Sequence, residues 1–214
     1  PGPEVPESDK NANRGRGAAE ETAPPGDDVS MKLLFAGSMY AGYTIESLFA
    51  AWQHLLERRP DVRMQLVAHT QSASMLQKLC DRYPLAGART TTGPRVSHEE
   101  VIRLYGRADL LVLATLDDRS IPGKLFEYIR SGTPVLAFAV DGAESRQLLA
   151  ETGTGQAVDH DDPAKGAEVL SRLYDRWLEG QPLTDPDPAE VAQLERKVAY
   201  KKLFAALDAE VSAG

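Results

Sequence analysis

The feature that most constrains the fold is a regular alternation of short apolar runs and helix-patterned segments across residues 31–180. The predicted strands are MKLLFAG, VRMQLVAH, ARTTT, DLLVLAT, TPVLAFA and GQAVD. The central runs are apolar without a break, which is typical of parallel strands that helices cover on both faces. The pattern therefore predicts an α/β fold with a doubly wound parallel sheet of six strands. Because crossovers are right-handed, few strand orders are possible, and we expect 3-2-1-4-5-6.

The composition divides the 214-residue chain into three parts. Residues 1–30 contain five prolines and four glycines, with two valines as their large apolar side chains. Such a segment cannot bury enough apolar surface to offset its ordering entropy, so we expect a disordered tail or an interdomain linker. Residues 31–180 form the predicted Rossmann-like domain, and residues 181–214 a linker and a C-terminal amphipathic helix. The chain starts at Pro1 rather than at methionine, and we expect a fragment or a processed chain.

The charge and the motif inventory exclude several classes of function. A net charge of −8 leaves no basic stripe for phosphate backbones, so we expect no nucleic-acid partner. The chain has no apolar run of membrane-spanning length and no signal segment, and its single cysteine, Cys80, fits a reducing compartment. These features favour a cytoplasmic protein. No residue spacing matches a zinc or calcium site, and no G-x-G-x-x-G motif occurs, so we expect neither a metal nor a cofactor.

The segment SIPGKLFEYIRSG, residues 120–132, combines several anion-binding signals at the start of a predicted helix. Pro122 suits the first helical position, and Gly123 allows a ligand to approach the backbone closely. The free N–H groups and the helix dipole attract an anion there, and Lys124 adds a full positive charge. Glu127 lies one turn further on, where its carboxylate could accept hydrogen bonds from two vicinal hydroxyls.

Two interpretations of this segment remain open. A nucleoside diphosphate, with its phosphates at the helix tip and its ribose at Glu127, would explain all of these residues. The alternative is a capped surface helix in which Lys124 and Glu127 form an ion pair worth a few tenths of a kcal/mol.

The run IPGKLFEYIRSGTPVLAF resembles the donor-site segment of family-4-type glycosyltransferases of the GT-B fold, and the resemblance extends over about residues 31–178. It implies that the chain is the C-terminal half of such an enzyme and binds a UDP- or GDP-linked sugar. It further implies hexosyl transfer to an acceptor held by an N-terminal domain or a partner chain, and it allows an acceptor at a membrane surface. The catalytic residues would lie outside this half, so the isolated chain is expected to be inactive.

The resemblance also implies roles for individual residues. Glu127 would bind the ribose hydroxyls, and Lys124 with the amides near Gly123 would hold the diphosphate. Val96 would lie at the base, and Gly37 would end the first strand close to the phosphates. The complete set of implied nucleotide-binding residues is Gly37, Ser38, Val96, Ser120, Ile121, Gly123, Lys124 and Glu127.

The chain departs from the family pattern at two places. Arg119 stands where the family often has a glutamate that contacts the donor sugar. Ser38 and Tyr43 stand where arginine and lysine are common, which should weaken diphosphate binding unless Arg119 or Arg95 substitutes. These departures favour the alternative function, a non-catalytic module of the same fold that binds a protein partner. His69, at the end of the second predicted strand, faces the ligand edge of the sheet, and whether it contacts a ligand stays open.

Local signals predict how several helices begin, end and pack. Ser97 precedes Glu100 by three residues, which is the spacing of a capping box. Asp161 or Asp162 is expected to cap the helix that follows the sixth strand. Gly132 should end the helix that begins near Pro122. Trp52 lies on the apolar face of the first helix and is predicted to belong to the core.

Overall fold

The computed structural model describes residues 29–40, 44–94 and 96–194. The strands are β1 Met31–Ala36, β2 Met64–His69, β3 Thr90–Thr92, β4 Leu110–Thr115, β5 Val135–Ala139 and β6 Gly155–Asp159. The helices are α1 Glu46–Arg58, α2 Ala73–Arg82, α3 Pro84–Gly87, α4 His98–Tyr105, α5 Gly123–Ser131, α6 Glu144–Thr152 and α7 Pro163–Leu178. Residues 188–194 are also helical.

The six strands form one parallel sheet in the order β3-β2-β1-β4-β5-β6. This arrangement confirms the predicted fold class and the predicted strand order. Strands β1 and β4 are neighbours in the sheet although two strands separate them in the sequence. Their connections lead to opposite faces of the sheet, so a crevice opens beyond their carboxyl ends, where ligands bind in folds of this kind.

Each face of the sheet carries its own apolar cluster because side chains alternate along every strand. On β1, Leu33 and Phe35 join the cluster that α1 and α7 cover, whereas Leu34 and Ala36 join the cluster that α4, α5 and α6 cover. Trp52 is completely buried in the first cluster, as predicted. The burial of both faces explains why the central strands are apolar throughout.

The start of α5 differs by one residue from the prediction. Pro122 is the N-cap, with φ −56° and ψ 130°, and the first helical residue is Gly123. The extended ψ of Pro122 turns its carbonyl into the helix, where it accepts a hydrogen bond from the Leu125 amide at 2.8 Å. Gly132 ends the helix with a left-handed φ of 72°, as predicted.

The predicted caps of α4 and α7 form, but the capping box of α4 is incomplete. The hydroxyl of Ser97 accepts a hydrogen bond from the Glu100 amide at 3.3 Å. The carboxylate of Glu100 does not return the bond to Ser97, because it accepts one from Arg103 at 2.7 Å instead. At α7 the capping residue is Asp162, which accepts from the Lys165 amide at 2.9 Å.

The chain after α7 packs against the domain as far as it is described. Leu183 joins the cluster beneath α1 and α7, and Val191 packs against the cluster beneath α4, α5 and α6. The Asp187 amide donates to the Thr152 carbonyl at 2.9 Å. The predicted tail before residue 29 and most of the predicted C-terminal helix lie outside the described residues, and the proposed domain boundaries stay a prediction. None of the helices within residues 29–194 that the structure describes is both long and apolar enough to cross a membrane.

Candidate functional site

The tip of α5, which is its N-terminal end at Gly123 and Lys124, lies at the carboxyl end of β1. At this point of the sheet the strand order reverses. The ammonium nitrogen Nζ of Lys124 donates a hydrogen bond to the carbonyl oxygen of Ala36 at 3.1 Å. Ala36 is the last residue of β1, whereas α5 follows β4. This contact therefore joins the ends of the two neighbouring strands between which the crevice opens.

Lys124 is held in a partly buried position beside the sheet. Its Nζ lies 5.3 Å from the centroid of the Phe35 ring, over the face of the ring. Burial lowers the pKa of Lys124, and the negative charge of Glu127 opposes that shift. An ammonium group has three donors, so the bond to Ala36 leaves two for an anion. A partly buried charge is costly unless it is paired. The negative charge of a bound phosphate would pair with the Lys124 ammonium.

Gly37 is required for this placement of Lys124. A Cβ atom added at residue 37 would lie 2.2 Å from Lys124 Nζ and 3.6 Å from Cζ of Phe35. The first distance is far below a van der Waals contact, so any side chain at residue 37 would displace the ammonium group. The glycine that the family resemblance implies beside the phosphates thus makes room for the lysine.

The backbone at the tip of α5 is open to a ligand. Gly123 is exposed, and a Cβ atom added there would have no neighbouring atom of the described residues within 4 Å. The first amides of a helix have no intrahelical acceptors, so the N–H groups of Gly123 and Lys124 point away from the helix at its positive end. The tip can therefore bind an anion through its backbone as well as through the lysine.

Glu127 lies one turn along α5 and faces α4. Its Oε1 atom is 3.6 Å from Nε2 of His98, and its side chain is 35% exposed. It does not form the surface ion pair with Lys124 that the alternative interpretation predicted, because the Lys124 ammonium bonds to the end of β1 instead. One side of the carboxylate thus lies near α4, and a third of the side chain remains accessible.

Tyr105, which the sequence reasoning missed, also interacts with Glu127. Its side chain is buried and packs edge-on against Tyr128, with the ring centroids 4.8 Å apart. Burial raises the pKa of Tyr105 to about 12, and the charge and hydrogen bonding of Glu127 contribute to the rise. Tyr105 therefore stays protonated and can act as a donor. Its spacing of seven from His98, which places both residues on one face of α4, was the available signal.

A cleft of about 230 Å³ adjoins the tip of α5. Its lining residues come from the ends of β1 and β2 and from the segment around the start of α4, and they are Gly37, Ser38, His69, Thr70, Gln71, Pro94, Val96 and Val101. Three of the predicted residues, Gly37, Ser38 and Val96, therefore line one cleft. Gly37 also adjoins the Lys124 ammonium, so the cleft borders the tip of α5.

The remaining predicted residues lie in the loop that leads into α5. Ser120 donates a hydrogen bond from its hydroxyl to Asp117, and the Arg119 amide donates to the same carboxylate at 2.9 Å. These bonds hold the pKa of Asp117 below its ordinary value. Ile121 is half-buried against the cluster beneath α5. Neither Ser120 nor Ile121 lines the cleft.

Two of the positions at which the chain departs from the family pattern, Ser38 and Arg119, lie among the described residues. The Arg119 side chain is 91% exposed, and its Nε lies 3.9 Å from Asp118. Tyr43 and Arg95 lie outside the described residues. Within the described part of the chain, no group of three or more His, Cys, Asp and Glu side chains is arranged to hold a metal ion.

A family model described as glycosyl transferases group 1 matches residues 30–176, which is more than half of the chain. The chain belongs to the group 1 glycosyl transferases. This assignment confirms the predicted resemblance to glycosyltransferases. No curated protein sequence matches the chain significantly.

Solved structures of glycosyltransferases share the fold at low sequence identity. Sucrose-phosphate synthase from Thermosynechococcus elongatus matches with a TM-score of 0.61 and 22% identity, over 83% of this chain and 46% of the synthase. The UDP-forming α,α-trehalose-phosphate synthase from Burkholderia vietnamiensis matches with a TM-score of 0.59 and 16% identity, over 86% and 45%. The C-terminal domain of a group 1 glycosyl transferase from Francisella tularensis matches with a TM-score of 0.56 and 15% identity, over 78% and 86%.

These matches agree with the predicted architecture, one Rossmann-like half of a GT-B fold. The chain spans less than half of the two synthases but most of the Francisella tularensis C-terminal domain.

Proposed function

We propose that this chain is the donor-binding C-terminal domain of a glycosyltransferase. It binds a UDP- or GDP-linked sugar, from which a hexosyl group is transferred to an acceptor held by an N-terminal domain or a partner chain. One observation carries the proposal: the tip of α5 is open at Gly123, with the Lys124 ammonium beside it and the Glu127 carboxylate one turn further on. The diphosphate and the ribose of a nucleotide would contact these groups in this order.

The bound nucleotide would lie along the carboxyl edge of the sheet. The diphosphate accepts hydrogen bonds from the amides of Gly123 and Lys124 and from the Lys124 ammonium. The ribose hydroxyls donate to Glu127. The base enters the cleft beside Gly37 and Val96, whose volume of about 230 Å³ is below that of a pocket for a whole drug-sized ligand. The base alone fits there, while the phosphates and the sugar follow the open edge.

A second domain would complete the site. The chain spans less than half of the two synthases of similar fold. Two apolar side chains are exposed at the carboxyl edge, Tyr40 after β1 and Leu116 after β4, with exposures of 59% and 43%. These side chains suit an edge that faces another domain across the donor site, which supports the inference that the acceptor and the catalytic residues lie there. The isolated chain should therefore bind the donor without turning it over.

Titration calorimetry of the chain with UDP and with GDP tests this proposal. We expect saturable binding with one site per chain for at least one nucleotide. Glu127→Gln should weaken that binding about tenfold, because the amide accepts fewer hydrogen bonds from the ribose and lacks the negative charge. Glu151→Gln is the matched control, since Glu151 is exposed on α6 and contacts Gln147. The absence of binding to either nucleotide at millimolar concentration would contradict the proposal.

The alternative is a non-catalytic module of the same fold that binds a protein partner. The exposed Arg119 in place of the glutamate that the resemblance implies, and the existing bond between Lys124 and Ala36, favour it. It predicts a thermal midpoint that no nucleotide changes and a protein that co-purifies with the chain. Thermal unfolding with and without UDP and GDP separates the two functions.

A further inference from the structure

His69 occupies a defined position in the wall of the cleft. It is the last residue of β2 and lies opposite Ala36 of β1 in the register of the sheet. Its ring packs over Gly93, where an added Cβ atom would lie 2.3 Å from the ring carbon Cε1. The ring can occupy this position because residue 93 has no side chain. It lines the cleft together with Gly37 and Val96.

The hydrogen bond of His69 determines which of its ring nitrogens carries the proton. Nδ1 of His69 lies 2.8 Å from the carbonyl oxygen of Pro94. A carbonyl oxygen only accepts, so Nδ1 must be the donor in this contact. In the neutral ring Nε2 then has a free lone pair. Nε2 has no hydrogen-bond partner among the described residues, so it is the ring nitrogen with which His69 would accept a hydrogen bond from a ligand in the cleft.

The loops around His69 are braced against each other, so the wall of the cleft is preorganised. The hydroxyl of Ser72, just after β2, donates to the Met39 carbonyl at 2.7 Å and accepts from the Met39 amide at 3.0 Å. The Gly37 amide donates to the His69 carbonyl at 3.0 Å. These bonds tie the segment after β1 to the end of β2 and to the loop that follows it. A preorganised wall binds a ligand at a lower cost in ordering than a mobile one.

We propose that His69 is a specificity-determining residue that selects a base with a ring N–H group, uracil or guanine, over one with a ring nitrogen lone pair, cytosine or adenine. This inference rests on the proposed function, because it assumes that the base of the nucleotide occupies the cleft. The acceptor Nε2 of His69 pairs with N3–H of uracil or N1–H of guanine. In cytosine and adenine the corresponding ring nitrogen is itself an acceptor, so two lone pairs would face each other.

Uracil and cytosine are the decisive pair because they are nearly equal in size. A difference in affinity between UDP and CDP therefore reports hydrogen bonding rather than fit. A site that hydrogen-bonds one ligand rejects an analogue that leaves its polar group unpaired. We expect the wild-type chain to bind UDP about tenfold or more tightly than CDP, or GDP more tightly than ADP by a similar factor.

The experiment measures the dissociation constants of UDP, CDP, GDP and ADP by calorimetry at one mildly alkaline pH. His69→Ala should reduce the UDP/CDP or GDP/ADP preference to about twofold or less, mainly by weakening the favoured nucleotide. His69→Gln can donate its amide to Pro94 and keeps a carbonyl oxygen as an acceptor, so it should retain part of the preference. His54→Ala, a change at a histidine within α1, is the matched control and should leave the preference intact.

Each outcome decides either the inference or the function on which it rests. Binding to the wild-type chain without preference, or with preference for CDP and ADP, overturns the role of His69 and leaves the proposed function standing. If His69→Ala keeps the wild-type preference, the role of His69 is likewise overturned and the proposed function stands. If His69→Ala does not fold, the inference is tested by the preference of the wild-type chain and by the preference that His69→Gln retains. If the wild-type chain binds none of the four nucleotides, the proposed function itself fails.

Discussion

Replacement of Gly123 by alanine should separate the stability of the chain from its function. Gly123 is the first residue of α5, and in the part of the chain that the structure describes an added Cβ atom meets no other atom within 4 Å. The free chain therefore accepts the methyl group without strain. Alanine has less backbone freedom to lose in a helix than glycine, so the free energy of unfolding should rise by between zero and about 1 kcal/mol. For a domain of this size that rise increases the thermal midpoint by no more than about 4 °C.

The same methyl group should obstruct the nucleotide. If the diphosphate lies on the amides of Gly123 and Lys124, its oxygens approach to about 2.9 Å from the backbone nitrogens, and the methyl group competes for that space. We expect UDP or GDP to bind at least tenfold more weakly, a loss of about 1.4 kcal/mol or more. Calorimetry measures the affinity, and thermal unfolding measures the stability of the same sample.

Gly106→Ala is the matched control for this substitution. Gly106 has an ordinary helical conformation at the end of α4, and an added Cβ atom there has its nearest neighbour at 3.9 Å. It lies toward the amino ends of the strands, away from the crevice, so its replacement should leave the affinity unchanged. If Gly123→Ala binds UDP and GDP as the wild-type chain does, the diphosphate does not lie on the tip of α5 and the reasoning is refuted.

Further predictions concern the lysine and the glycine that makes room for it. Lys124→Met should weaken UDP or GDP binding about ten- to a hundredfold in calorimetry. It should not lower the thermal midpoint, because it removes a partly buried charge. Lys165→Met, on the exposed face of α7, should change neither the affinity nor the thermal midpoint, and equal effects of the two substitutions on affinity would contradict the role of Lys124. Burial lowers the pKa of Lys124 from the ordinary value of 10.5. The affinity of the wild-type chain for UDP or GDP should therefore fall as the pH rises through the alkaline range below that value. An affinity that does not change with pH would show that the Lys124 ammonium is not used. Gly37→Ala should displace the Lys124 ammonium from Ala36 and so weaken UDP or GDP binding in calorimetry about tenfold or more. Unchanged affinity would show that this placement of the ammonium is not needed.

The arrangement of the strands could be predicted because it depends on local patterns and on general rules of topology. The unbroken apolar run of β4 indicated a strand buried on both faces, and the handedness of crossovers then left few orders. Even the short polar strand Thr90–Thr92 was recognised, since threonine favours strands. The four-residue helix Pro84–Gly87 was missed because it is too short to show a helical period.

The details of the site could not be predicted, because they depend on contacts between residues far apart in the sequence. The spacing along α5 identified Lys124 and Glu127, but the bond from Lys124 to Ala36 spans 88 positions and depends on how α5 lies beside β1. The same spacing suggested a pair between Lys124 and Glu127, whereas His98 of α4 lies beside the carboxylate. Pro122 suits both the N-cap and the first helical position, so composition alone could not decide between them.

The most direct test of the account is a crystal structure of the chain with UDP or GDP at saturating concentration. The account predicts diphosphate oxygens within hydrogen-bonding distance of the Gly123 and Lys124 amides and of the Lys124 ammonium, with the ribose hydroxyls on Glu127. A nucleotide bound elsewhere, or a tip of α5 that stays empty at saturation, would contradict it.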